Sequence, residues 1–182
     1  LIKNSFGPEY MIKPVANGSS IGTRLVREGD SLKDNIIEAF KFFDSLLIEE
    51  FIRGKEASCA ILENFRDKNI YSFPTLELVY PSHYQYFTNE ARKNNDSKAV
   101  CPSRFSYEER SKIENISAEI HEILGLTQYS SSDFIVRDGN VYFLEVNTLP
   151  KLTSQSIFPK ATESVGMTLN QLVNHLVVTS KV

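Results

Sequence analysis

Two strand-like runs around a turn signal constrain the fold of this chain most strongly. Residues 133–137 read Asp-Phe-Ile-Val-Arg, residues 141–146 read Val-Tyr-Phe-Leu-Glu-Val, and Asp138-Gly139-Asn140 stands between them. An Asp-Gly pair between two β-prone segments is typical of a hairpin turn. The sequence therefore predicts an antiparallel β-hairpin in the last third of the chain.

The predicted hairpin brings two acidic residues together. A three-residue loop pairs residue 137 with residue 141, and hence Asp133 with Glu145. Asn147 projects from the same face because side chains alternate along a strand. Like charges opposite each other destabilise a sheet unless a cation joins them. These oxygen donors suit Mg²⁺ or Mn²⁺ rather than zinc, and the alternative is an exposed, solvated face.

Two helices are predicted from capping signals. Ser106 and Glu109 form the capping-box pattern before a helical apolar face that ends at Gly125. Ser31 caps an earlier helix, and helical spacing extends its apolar face to Phe43.

The remaining segments read as strands, one more helix and a long loop. The stretch from residue 81 to residue 102 has no clean periodicity, which is typical of a functional or disordered loop. The other predicted elements are strands at 10–12, 46–48, 57–62 and 70–80, a polar glycine-bearing loop at 17–23, and a helix at 168–178.

Composition narrows the class of protein. With 182 residues, 41% of them apolar, the chain can bury a real core. A net charge of −3 leaves no basic excess for a phosphate backbone, which argues against nucleic acid as a ligand. No apolar run reaches the length of about 18 residues that a membrane span needs. Without a signal-peptide pattern, we expect a cytoplasmic protein in which Cys59 and Cys101 are packing residues, although a disulfide between them stays open.

The order of short motifs resembles the ATP-grasp domain of D-alanine–D-alanine ligases over nearly the whole chain. The most specific piece is F-L-E-V-N-T-L-P at residues 143–150, followed by Thr153 and Ser156, which is similar to the family pattern E-V-N-T-x-P-G-M-T-x-x-S. The other pieces are Ile12-Lys13-Pro14 before a Gly-Ser-Ser loop, Glu49-Glu50-Phe51-Ile52 with Gly54 and Glu56, and Asp133.

The resemblance implies an α+β ATP-grasp fold, in which two α/β lobes with mainly antiparallel sheets enclose the nucleotide. Residues 1–56 would form part of the smaller lobe, and residues 57–182 the larger lobe with the metal-binding hairpin. It also implies ATP and Mg²⁺ (or Mn²⁺) as cofactors.

Roles in nucleotide binding follow from the resemblance, position by position. Lys13, Ser19 and Ser20 match the residues around the ATP phosphates; Gly18 would let the backbone approach an anion closely. Glu49, Glu50 and Ile52 match the segment that reads adenine, and Glu56 matches the acid on the ribose. Taken alone, each of these acids would more often be a solvated surface residue, and Lys13 an ordinary surface lysine.

Metal and acceptor roles follow in the same way. Asp133, Glu145 and Asn147 match the family's metal ligands. Ser156 matches the serine near the carboxylate of the second substrate. Ser19 and Lys151 stand at positions expected to take part in catalysis.

The chain departs from the family pattern on the acyl-transfer side. Ser131 stands where the family has an arginine that stabilises an oxyanion, and Lys151 stands where the family has a glycine. The family's E-A-K-Y appears as Glu90-Ala91-Arg92-Lys93. Loss of one oxyanion donor costs roughly 10²- to 10³-fold in rate.

Three functions remain open at this point. The first is an active D-alanine–D-alanine ligase, in which Lys151 or Arg92 supplies the missing positive charge. The second is a ligase for another amino or hydroxy acid, and the third is a degenerate nucleotide-binding protein without ligase activity. The resemblance also implies a missing N-terminal domain, D-alanine as substrate and a homodimer.

Overall fold

A computed structural model describes residues 7–16, 18, 20–94, 96–154 and 156–180 and, for Arg92, the backbone alone. The backbone groups into two compact units. One contains Leu1–Arg53 and Tyr80–Asp96, and the other contains Gly54–Val79 and Ser97–Val182. The expected lobes, residues 1–56 and 57–182, stay a prediction; the backbone grouping differs by assigning Tyr80–Asp96 to the first unit.

The first unit has a three-stranded antiparallel sheet in the order β2-β1-β3. Its core contains Tyr10, Ile12 and Val26 from the sheet, and the helix α1 adds the buried Ala39. Because side chains alternate along β1, Met11 and Lys13 lie on the opposite face. The elements are β1 (Tyr10–Pro14), β2 (Arg24–Val26), α1 (Leu32–Phe40), β3 (Leu46–Glu50) and α2 (Asn89–Lys93).

The second unit has a six-stranded antiparallel sheet in the order β7-β6-β4-β8-β9, with β5 also paired to β4. Its strands are β4 (Lys55–Phe65), β5 (Lys68–Ser72), β6 (Leu76–Val79), β7 (Lys98–Val100), β8 (Tyr129–Arg137) and β9 (Asn140–Asn147). Its helices are α3 (Tyr107–Ile123), α4 (Ile157–Glu163) and α5 (Leu169–Thr179).

Helices cover both faces of β4, the central strand of this sheet. On one face Cys59 and Ile61 pack with Ile113 of α3. On the other face Ala60 and Leu62 pack in one cluster with Phe158 of α4 and Leu172 of α5. The alternation of β4 therefore serves two apolar cores, which explains the apolar run from Cys59 to Leu62 in its centre.

Most predicted elements are confirmed. The capping boxes of α3 and α5 are both present, with Ser106 and Thr168 as the N-caps. Helix α1 starts after Ser31 but ends at Phe40, so Phe43 lies outside it. In the described ranges, no helix combines the length and the apolar content needed to cross a bilayer.

Two predictions about connecting segments were wrong. The single strand expected at 70–80 is two strands, β5 and β6. Pro74 lies between them and has no backbone N–H to donate to a ladder, and the Thr75 amide and hydroxyl both bond to the Glu114 carboxylate of α3, at 3.2 and 3.3 Å. The stretch 81–102, expected to be a loop, contains the short helix α2 and the strand β7.

Candidate functional site

The hairpin of β8 and β9 has a different register from the predicted one, yet it pairs the same two acids. Arg137 lies opposite Asn140, so the turn is the two-residue Asp138-Gly139, with φ of 51° and 76°. A bulge next to Asp133 and Phe134 then shifts the register by one residue. Asp133 consequently lies opposite Glu145.

The bulge places the extra residue in β9, where Leu144 separates the paired residues Phe143 and Glu145. Bulges are common next to functional sites because they re-aim the side chains that follow. Without this bulge, the two-residue turn would place residue 144 opposite Asp133. The bulge therefore sets the face on which Glu145 projects.

Three oxygen-bearing side chains converge on this face of the hairpin. The Asn147 amide nitrogen lies 3.3 Å from Asp133 Oδ2, and Glu145 pairs with Asp133 in register. Glu145 is exposed and Asp133 is half-buried. Within the described ranges, no three His, Cys, Asp or Glu side chains form a metal cluster. Two carboxylates completed by an amide carbonyl fit a hard, oxygen-preferring cation that retains water ligands.

Ser131 lies on the same face of β8 as Asp133, directly opposite Asn147. Its side chain is nearly buried, with 6% of the residue exposed. A serine hydroxyl is short and neutral, and therefore does not provide the charge that an arginine would provide at this place.

Lys13 and Glu49 form an ion pair in the first unit. Lys13 pairs with Leu47 and Met11 pairs with Glu49, so the two charged residues are diagonal neighbours across β1 and β3. Their side chains remain 29% and 33% exposed. Two residues that the sequence assigned to different parts of the nucleotide are thus brought together.

The glycine-serine loop joins β1 to β2. Ser20 has a φ of 56°, and its hydroxyl donates to the Phe87 carbonyl at 3.0 Å. Gly22 has a φ of 78°, and a Cβ there would overlap the edge of the Phe43 ring and lie 2.9 Å from Pro14 Cγ. Glycine is therefore required at position 22 by both conformation and space. Ser19 lies outside the described residues.

The candidate residues for binding adenine and ribose lie at the end of β3 and at the start of β4. Glu50 is exposed and pairs with Tyr10. Ile52 is half-buried in the irregular segment that follows β3. Glu56, in the second unit, is half-buried on β4 and pairs with Leu78 of β6.

The acceptor-side candidates lie after β9 in the second unit. Ser156 is the N-cap of α4, and its Oγ lies 2.7 Å from Thr153 Oγ1. Lys151 is exposed and follows the buried Pro150. The structure thus links Ser156 to Thr153, the two hydroxyl residues of the quoted motif.

Neither cysteine is placed for chemistry. Cys59 and Cys101 are both free thiols, and burial raises the pKa of Cys59 to about 12. A thiol with this pKa is not ionised at neutral pH and is a poor nucleophile.

Tyr86 is a residue that sequence reasoning missed. Its hydroxyl donates to the Thr23 carbonyl at 3.1 Å, across 63 residues of sequence. It belongs to the stretch predicted as an irregular loop, and no local pattern indicated its partner.

Solved structures share this arrangement of elements. A D-alanine–D-alanine ligase from Bacillus anthracis, complexed with ATP, has a TM-score of 0.78 and 22% identity, covering 97% of this chain and 53% of that chain. The VanG D-Ala:D-Ser ligase of Enterococcus faecalis has a TM-score of 0.78 and 28% identity, covering 97% and 51%. Together with the two antiparallel sheets, these likenesses define an α+β protein of the ATP-grasp fold.

Sequence comparison gives the family. Residues 2–178 match the family described as D-ala D-ala ligase C-terminus, and the chain belongs to this family. A D-alanine–D-alanine ligase of Maridesulfovibrio salexigens is 34% identical over 93% of this chain and 55% of its own length. Another, from Halalkalibacterium halodurans, is 35% identical over 92% of this chain and 54% of its own length. The chain therefore spans about half the length of the curated relatives it matches.

Proposed function

We propose that this chain is the nucleotide-binding and catalytic part of an ATP-dependent ligase that joins two D-alanines. The observation that carries the proposal is the face of the hairpin on which Asp133 and Glu145 are paired beside Asn147. Two acids directly opposite each other destabilise a sheet, and a cation bound between them removes this cost. Membership of the D-ala D-ala ligase C-terminus family supports the same conclusion.

Asp133, Glu145 and Asn147 would hold Mg²⁺ (or Mn²⁺) on this face. When bound, Mg-ATP supplies the phosphoryl group that activates a substrate carboxylate for attack by an amine. Lys13 and the loop from residue 18 to residue 23 would contact the phosphates, with Ser19 as the candidate hydroxyl donor and Ser20 as a residue that shapes the loop.

The other candidates bind and orient. Glu49, Glu50 and Ile52 would bind the adenine, and Glu56 would bind the ribose. Ser156 would orient the acceptor, with its hydroxyl held by Thr153. No covalent nucleophile is needed, because the protein mainly positions its substrates and stabilises charge.

Lys151 is one candidate to replace the charge that Ser131 lacks. It is exposed and three residues past the hairpin motif Glu145-Val146-Asn147-Thr148. If Lys151 or Arg92 supplies this charge, Lys151→Ala or Arg92→Ala lowers kcat by roughly 10²-fold or more. Unchanged kcat in both variants of the full-length protein contradicts this role.

The acceptor is tested by product analysis. The full-length natural protein is incubated with Mg-ATP and D-alanine, D-serine or a D-hydroxy acid, and the products are identified by mass spectrometry. D-alanyl-D-alanine as the main product supports the proposal. A mixed product supports a second candidate, a ligase with another acceptor, which the altered residues Ser131 and Lys151 favour. Bound ATP without any product supports a degenerate nucleotide-binding protein.

We also propose a cytoplasmic protein, which fits the two free thiols, since cysteines stay reduced in the cytosol. A domain that precedes this chain would complete the site for the first substrate, and a homodimer would form mainly through that domain.

A further inference from the structure

Two hydrogen bonds tie the glycine-serine loop to a distant segment of the first unit. The Tyr86 hydroxyl donates to the Thr23 carbonyl at 3.1 Å. The Ser20 hydroxyl donates to the Phe87 carbonyl at 3.0 Å. The donors lie on opposite sides of the contact, one in the loop and one in the Tyr80–Asp96 segment, so each segment holds the other.

The Tyr80–Asp96 segment is itself held in place. The Tyr84 hydroxyl donates to Asp96 Oδ2 at 2.9 Å, a bond inside the segment that involves neither the loop nor Phe87. The rings of Tyr80 and Phe87 are stacked, with centroids 6.3 Å apart. The carbonyl that accepts from Ser20 therefore belongs to a residue with a fixed ring.

The loop needs such support because its backbone is strained. Ser20 has a φ of 56°, a left-handed conformation that is unfavourable for a non-glycine residue. Two turn bonds inside the loop, from Ile21 N–H to the Gly18 carbonyl and from Thr23 N–H to the Ser20 carbonyl, are long at 3.3 and 3.4 Å. The hydrogen bonds between the loop and the Tyr80–Asp96 segment, at 3.0 and 3.1 Å, are shorter than these turn bonds.

We infer that Tyr86 is a positioning residue for the phosphate-binding loop, and that Ser20 anchors this loop to Phe87 instead of contacting phosphate. This inference rests on the proposed function. The Ser20 hydroxyl can donate one hydrogen bond, and in this conformation it donates that bond to the Phe87 carbonyl. Tyr86 is half-buried, which raises the pKa of its phenol and keeps it a hydrogen-bond donor.

A positioning role for Tyr86 should affect the binding of the phosphates and not the binding of the rest of the nucleotide. Loss of the Tyr86 bond lets the loop leave the conformation that meets the phosphates. ATP binding should weaken, whereas adenosine, which has no phosphate, should bind as before. The effect should appear in KM for ATP more than in kcat, since Tyr86 touches the loop and not the reacting atoms.

The test compares Tyr86→Phe with Tyr84→Phe in the full-length natural protein. Both variants remove one phenolic hydroxyl from the same segment and keep the ring, but only Tyr86 reaches the loop. Hydrogen exchange is measured without nucleotide on peptides that contain residues 20–23. Binding of ATP and of adenosine is then measured with both variants and with Ser20→Ala.

We expect Tyr86→Phe to speed exchange in the loop and to weaken ATP binding by roughly 2- to 13-fold, the effect of one hydrogen bond. Ser20→Ala should act in the same direction, and Tyr84→Phe should leave the loop unchanged. Wild-type exchange rates in Tyr86→Phe overturn the inference, as does equal acceleration in Tyr84→Phe. If the wild-type protein binds no ATP, the proposed function fails, while the exchange rates still decide whether Tyr86 holds the loop.

Discussion

Glu145→Gln should stabilise the protein without metal and remove its stabilisation by metal and nucleotide. Glu145 and Asp133 are paired in register, and like charges at such positions destabilise a sheet by roughly 0.2–1 kcal/mol. Glutamine removes one charge and keeps the shape of the side chain. The free energy of unfolding without metal should therefore rise by about this amount.

With metal and nucleotide bound, Glu145→Gln should lower the free energy of unfolding relative to wild type instead of raising it. A ligand that binds only the folded state stabilises it by about 2.7 kcal/mol at 100 times its Kd. The wild-type protein should gain this amount from Mg²⁺ with a non-hydrolysable ATP analogue, whereas Glu145→Gln should gain far less because one metal ligand is gone. The two effects of one substitution thus have opposite signs.

Urea unfolding with and without Mg²⁺ and the analogue measures both effects. Asp138→Asn is the matched control, because Asp138 lies in the turn of the same hairpin, is 85% exposed and pairs with Arg137 rather than with an acid. Asp138→Asn should change neither the free energy of unfolding without metal nor its increase with Mg²⁺ and the analogue. A lower stability of Glu145→Gln without metal, or an undiminished gain with ligand, would refute the assignment of this face as a metal site.

Two further predictions concern stability. Burial lowers the pKa of His121, so in acid the unfolded chain binds a proton at this residue more readily than the folded chain does. The stability that depends on neutral His121 is therefore present above about pH 6.5 and is lost as the pH falls below it. Urea unfolding at about pH 5.5 and about pH 7.5 should show a smaller pH dependence in His121→Gln than in wild type, and an unchanged pH dependence would contradict this. Gly22→Ala should destabilise by roughly 1–3 kcal/mol more than Gly29→Ala, because both glycines have positive φ but only the Cβ at position 22 overlaps Phe43. Equal melting temperatures for the two alanine variants would contradict this.

The β8–β9 hairpin shows how far local sequence signals reach. Asp138-Gly139 indicated the turn, and alternation indicated the strands, because both are local properties. The bulge at Leu144 carries no such signal, so the loop length was wrong by one residue. The predicted pairing of Asp133 with Glu145 was correct because the bulge offset this error.

Long-range contacts explain the other differences. Thr75 is not part of a strand as expected: Pro74 before it cannot donate to a ladder, and Glu114, 39 residues later, binds its amide and hydroxyl. Tyr86 finds its partner 63 residues earlier in the chain. Neither partner can be read from periodicity, which describes only neighbours within one element. Helix α3, in contrast, was predictable because Ser106 and Glu109 are part of the helix end that they cap.

Candidate site residues were predictable as types and only partly as a geometry. Motif order indicated Lys13 and Glu49 separately, but their ion pair depends on the register of β1 with β3. The residues next to Ser20 indicated a phosphate-binding loop, whereas its hydrogen bond to Phe87 is a long-range contact that only the folded structure reveals.

The most direct test of the proposed ligase is phosphate release by the full-length natural protein with Mg-ATP, measured with and without D-alanine, for wild type and Glu145→Gln. We predict release that depends on D-alanine in the wild type and falls at least tenfold in Glu145→Gln, the loss that corresponds to about 1.4 kcal/mol of transition-state binding. Release that does not depend on D-alanine, or that is equal in the two proteins, would contradict the account.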